Sequence, residues 1–144
     1  MNSYILFRYL HFISIFLVVG SVFAQQFLVK KQLTKEDLRT ILITDGIYGI
    51  ASILTVSFGM ILWFAVGKPA AFYSENNLFW IKMILFIVVG ILSIYPTVFY
   101  FRSKKKPEAL ITVPAKLIYV LRLEAGLLLL IPFFAELMAF GTQL

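Results

Sequence analysis

The sequence predicts an all-α polytopic membrane protein, a bundle of four transmembrane helices forming one domain over residues 1–144. Three observations carry that prediction. Hydrophobic residues make up 61% of the chain and charged residues only 14%, with a mean hydropathy of +0.94, far outside the range of a soluble domain. Four apolar runs, residues 4–29, 42–66, 78–101 and 117–140, each reach the roughly 20 helical residues that cross a bilayer core. A spanning strand would need only about 10 residues and would alternate polar with apolar, which these runs do not. Finally, the basic residues gather in the loops between the runs.

The first run holds Arg8 and the only histidine, His11. Residues three apart share a helix face, and an ionisable pair at membrane depth is expected to look into protein or water. Val22-Phe23-Ala24 imitates a signal cleavage site, but Tyr4 and Phe7 spoil the charged leader and apolar character resumes at Phe27, so the segment is expected to stay on the protein. In the first loop, Thr34 followed by Glu36 and Asp37 reads as the N-cap and acidic first turn of the second helix. On that helix Asp45, Gly49, Ser52 and Gly59 fall near one face beside Tyr48; small residues let a neighbouring helix approach closely. Asp45 and Tyr48 are expected to act as caps near the interface.

Residues 67–77 form a turn-rich connector flanked by Trp63, Tyr73 and Trp80, the spacing of an interfacial aromatic belt. The third run carries Lys82 near its start and Pro96 towards its end, where a kink is expected. Residues 102–116 read as a solvated hairpin, and the fourth run contains Arg122, Glu124, Pro132 and Glu136. The first loop has Lys30, Lys31, Lys35 and Arg39, and the third has Arg102, Lys104, Lys105, Lys106 and Lys116, whereas the second has only Lys68. The positive-inside rule therefore places loops one and three in the cytoplasm and both termini outside. The same rule accounts for the net charge of +6, so no nucleic-acid partner is expected; the lipid bilayer is the partner, and association of copies is expected because four short helices enclose little interior. With no cysteine, disulfides and thiolate metal sites are excluded.

At about 1.5 Å of rise per residue, Arg8, His11, Lys82 and Glu136 lie in the outer half of the bundle and are expected to form one connected site. Asp45, Tyr95, Tyr100, Arg122 and Glu124 form a second, inner polar layer. Intramembrane ionisable residues mark function by default, yet they also staple helices together. His11 is the sole candidate metal ligand, able to bind haem iron or to serve as a structural hydrogen-bonding residue. No nucleophile elbow, phosphate loop or zinc-protease motif is present.

Tyr9-Leu10-His11-Phe12, Phe79-Trp80-Ile81-Lys82-Met83, Ser93-Ile94-Tyr95-Pro96-Thr97 and Leu121-Arg122-Leu123-Glu124 resemble a family of small bacterial four-helix membrane proteins filed as a domain of unknown function. More distantly, the layout resembles the HemJ-type protoporphyrinogen oxidases and the CopD-like copper-resistance membrane domains. The HemJ-type resemblance implies haem b on His11 and an active residue at Lys82, and the likeness to the small bacterial family implies a bacterial inner membrane. The shared depth of the outer layer adds Arg8 and Glu136 as the residues expected about such a cofactor, with Lys82 as a proton donor or propionate partner. Glu124 stands where that family has an Asn-Glu pair, with Leu123 in place of the asparagine, and the family's Trp-x-Ala-Gly element is missing. Copper would favour clustered methionines, and Met60, Met83 and Met138 are scattered. Two functions follow as expectations: a haem-binding redox protein, or a non-enzymatic scaffold whose polar residues pack helices.

Overall fold

The computed structural model describes residues 2–141. Four long helices dominate it: α1 (Ser3–Leu28), α2 (Lys35–Ile61, extended by a π-helical turn over Leu62–Val66), α4 (Asn77–Lys104) and α5 (Ala115–Ala139). The short α3 (Ala70–Ser74) and two strands, β1 (Gln32–Thr34) and β2 (Leu110–Thr112), complete it. All four long helices have the length and composition to cross a membrane. Many large apolar side chains lie on the outside, Phe16 at 68% and Ile53 at 68% exposure among them, which is the face lipid requires.

The buried residues follow helical periodicity. On α1 they are Ser14, Val18, Ser21, Val22 and Gln25, and on α2 they are Leu38, Ile41, Asp45, Tyr48, Ala51 and Thr55. Each set recurs every three or four positions, the spacing of one helix face. α1 packs on α2 and on α5, and α4 packs on α5 and on α2, so the helices form a ring in chain order. The α1/α2 and α4/α5 contacts are extensive; the α2/α4 contact is thin.

The end of the bundle that carries the first and third loops is closed by a ribbon of two three-residue strands. β1 and β2 pair antiparallel with Leu33 opposite Ile111, and both residues are buried in a cluster with Leu38, Tyr100 and Leu117. The expected solvated hairpin is therefore half of an inter-loop ribbon, and pairing satisfies backbone groups that lie over the apolar end of the bundle. Thr34 caps α2 in a reciprocal box with Asp37, as its sequence predicts. Lys35 Nζ donates to the Ser103 carbonyl at 3.0 Å and to the Lys106 carbonyl, covering the last turn of α4 with a cation.

At the opposite end Trp63 and Trp80 both bond Ser74, through Nε1 to Oγ at 3.1 Å and through Nε1 to the carbonyl at 2.8 Å. Their rings cluster with Phe79 and tie α2, α3 and the start of α4 together. Gly67 ends the π-helical turn where a Cβ would sit 1.9 Å from the Leu62 carbonyl oxygen, so no other residue fits there without movement.

Candidate functional site

The outer layer does not assemble as one site. His11 is half-buried, and its Nδ1 lies 3.0 Å from the Thr55 carbonyl, joining α1 to α2. Room for the ring comes from Gly59, whose Cβ, if present, would stand 3.1 Å from His11 Cε1. Lys82 is half-buried, with Nζ 5.4 Å from the Phe79 ring centre. Met83 instead packs into the cluster of Leu78, Phe79 and Met138. Arg8 is exposed, its guanidinium 5.5 Å from the Phe12 ring and 6.0 Å from the Tyr4 ring on its own helix. Glu136 is exposed as well. The correction is one of azimuth: three residues turn a helix through 300°, so Arg8 stands about 60° off the direction of His11 and leaves the buried face.

The inner layer does assemble, with a changed membership. Asp45 of α2 is 8% exposed and accepts two hydrogen bonds, from Thr97 Oγ1 of α4 at 2.7 Å and from Gln25 Nε2 of α1 at 3.4 Å. Gln25 Oε1 accepts in turn from the Tyr100 hydroxyl at 2.8 Å, and Tyr100 is wholly buried. Tyr100, Gln25 and Asp45 thus form a directed chain in which a donor is followed by an acceptor at each link. Glu124 of α5 is 2% exposed and lines the same space as Gln25, Asp45, Tyr48 and Ser93, a gap too tight for a water molecule. Among the described residues it makes no hydrogen bond or ion pair. No lysine, arginine or histidine lines this centre.

Two expected members are elsewhere. Arg122 is exposed, two residues and so about 200° from Glu124. Tyr95 is half-buried with the Lys116 ammonium 5.3 Å from its ring centre. Asp45 and Tyr48 are not caps: both are buried in the bundle, a full turn and more beyond the first turn of α2. Gln25 and Thr97 were the residues sequence reasoning missed. The spacing of His11, Ser14, Ser21 and Gln25 on one face of the first run marks Gln25 as inward-facing, although it does not name its partners.

Beside the centre, a groove of about 350 Å³ runs between α2 and α4, lined by Leu42, Gly46, Gly49, Ile94, Val98 and Phe101, with Asp45, Tyr48, Ser93 and Thr97 at its floor. Of the small residues of α2 expected to let a neighbouring helix approach, Gly59 does so, with His11 of α1 against it. At Gly49, and at Gly46 one turn before it, a Cβ would meet nothing within 4 Å, so these two open a space instead.

A polar core fed by all four helices inside an otherwise apolar ring is the frame into which the family comparison fits. The family model described as "Predicted membrane protein (DUF2214)" matches residues 3–143. The chain belongs to that family. No curated protein matches it, and no solved structure matches it. The membership agrees with the four spanning helices. It assigns no chemistry, so the chemistry is read from the geometry of the DUF2214 chain itself.

Proposed function

We propose that this integral membrane protein works through an acidic centre, Asp45 with Glu124, that takes up positive charge, as a proton or a cation, at membrane depth. One observation carries the reading: two buried carboxyl groups, from α2 and α5, border one dry space that no basic side chain enters. Burying an unpaired carboxylate costs several kcal/mol, roughly, and two that share a site repel each other as well. The pair is therefore stable only when it holds less than its full negative charge. Gln25 and Thr97 fix the direction of the Asp45 carboxylate, while the Glu124 carboxyl has no hydrogen-bond partner among the described residues. Such carboxyls mark proton and ion pathways in membrane proteins. The basic loops support an inner-membrane orientation with the ribbon end in the cytoplasm, which puts the centre in the cytoplasmic half.

Infrared difference spectroscopy between acid and alkaline buffer tests this. The reading expects the carbonyl stretch of a protonated carboxyl group, lost or shifted in Asp45→Asn and in Glu124→Gln. A wild-type difference spectrum without it would refute the reading.

The haem reading keeps one supporting contact: with Nδ1 donating to the Thr55 carbonyl, Nε2 is the free ring nitrogen, as in ligating histidines. The remaining residues do not fit the group. Arg8 and Glu136 are turned outward, Lys82 alone accompanies His11, and neither the acidic centre nor the groove reaches the imidazole. His11 serves as a staple between α1 and α2.

A further inference from the structure

We infer that the groove between α2 and α4 is the binding site of an amphipathic organic ammonium ion, its cationic head on Asp45 and its apolar body along Leu42, Ile94, Val98 and Phe101. The inference rests on the acidic centre proposed above and names the class of cation that reaches it. Four observations combine. The groove holds about 350 Å³, within the size of pockets that take small organic ligands. Its walls are apolar, yet its floor presents the Asp45 carboxyl together with the hydroxyl-bearing Thr97, Tyr48 and Ser93. Glu124, 2% exposed and unbonded, borders the same polar space as Asp45 and supplies a second carboxyl group there, with no lysine or arginine in that lining. The groove is made by absence of side chain, at Gly46 and Gly49, on a helix whose other outward positions carry Ile43, Ile47, Ile50 and Ile53.

A lipid acyl chain would fill the walls but would leave the Asp45 carboxyl facing hydrocarbon, a costly arrangement. An ammonium head satisfies the walls and the floor together. Its N–H groups donate to the carboxylate as charge-assisted hydrogen bonds. When the centre holds a proton beforehand, the arriving cation displaces it, and the proton leaves to the solution.

The probes are phenylbutylamine and its neutral counterpart phenylbutanol, titrated into the full-length protein in mild detergent. Binding is followed by equilibrium dialysis and proton release by an indicator dye in weak buffer. Saturable binding of the amine at one site, with proton release and with the alcohol weaker by about tenfold or more, is the expected result. Asp45→Asn should weaken the amine by a similar factor. Gly46→Leu and Gly49→Leu fill the groove from positions where a Cβ is unopposed, so they should abolish amine binding while leaving the carboxyl infrared band of the centre in place. Equal binding of amine and alcohol, unchanged binding in Asp45→Asn, unchanged binding in both leucine variants, or no saturable amine binding to the wild type would each overturn the inference. In the last case a retained carboxyl band leaves the acidic centre standing, whereas a missing band removes both.

Discussion

Replacing Tyr100 by phenylalanine removes a single oxygen from a side chain that is wholly buried in the inner cluster with Leu33, Ile111 and Leu117. The ring stays and its packing stays, so the cost isolates one hydrogen bond, the 2.8 Å link from the hydroxyl to Gln25 Oε1. Hydrogen bonds between transmembrane helices average about 0.6 kcal/mol and reach about 1.7. Here the larger figure applies, because Gln25 is 2% exposed and the space beside it is too tight for a water to replace the lost donor. An unsatisfied buried acceptor costs about 1 to 3 kcal/mol. Tyr100→Phe should therefore lower stability by about 1.5 kcal/mol. The assay is reversible unfolding in mixed detergent micelles of the wild type, Tyr100→Phe, Gln25→Leu and the double variant. Gln25→Leu alone should cost more, since it also withdraws the donor at 3.4 Å from Asp45. The double variant should recover a coupling of about 1 kcal/mol. Additivity within about 0.3 kcal/mol would refute the directed chain from Tyr100 to Asp45.

His11→Ala should cost about 1 kcal/mol of stability by removing the staple to the Thr55 carbonyl, and Gly59→Leu should cost more, because its side chain must displace the imidazole that lies 3.1 Å from the position of its Cβ. Absorbance spectra of the wild type expressed with ample haem, beside His11→Ala, complete that test: a Soret band in the wild type that the variant loses would contradict the staple and restore the redox reading. For orientation, a cysteine at Lys105 should react with a membrane-impermeant maleimide only from the cytoplasm, and one at Ala71 only from outside. Position 71 is exposed, whereas Asn76 beside it is 2% exposed and serves as the N-cap of α4. Labelling of both from one side would reject the four-span topology.

The four spans were legible because length and apolar composition alone decide them, and Thr34 with Asp37 was legible because a capping box is local chemistry. The ribbon was not, since Leu33 and Ile111 lie in runs too short to show a period and meet only when α1 and α2, α4 and α5 have packed. Depth was legible and azimuth was not. Rise per residue put Arg8 level with His11 and Arg122 level with Glu124, but 100° per residue turned each arginine outward. Asp45 and Glu124 stood out as carboxyls in apolar runs. Gln25 stood out less, because an amide near the end of a run reads as approach to the loop; its spacing places it on the inward face, and its donor and acceptor geometry between Asp45 and Tyr100 makes it the connector.

The proposed function requires Asp45 and Glu124 to form one centre rather than two separate buried acids. Carbon-13 NMR of the labelled side-chain carboxyl groups, followed across pH in lipid bilayers, measures that. Interacting sites titrate as a pair, so each resonance should show two inflections, and Asp45→Asn should move the Glu124 titration and reduce it to a single step. A Glu124 curve that is single-stepped in the wild type and unmoved by Asp45→Asn would contradict the shared centre and, with it, the proposed function.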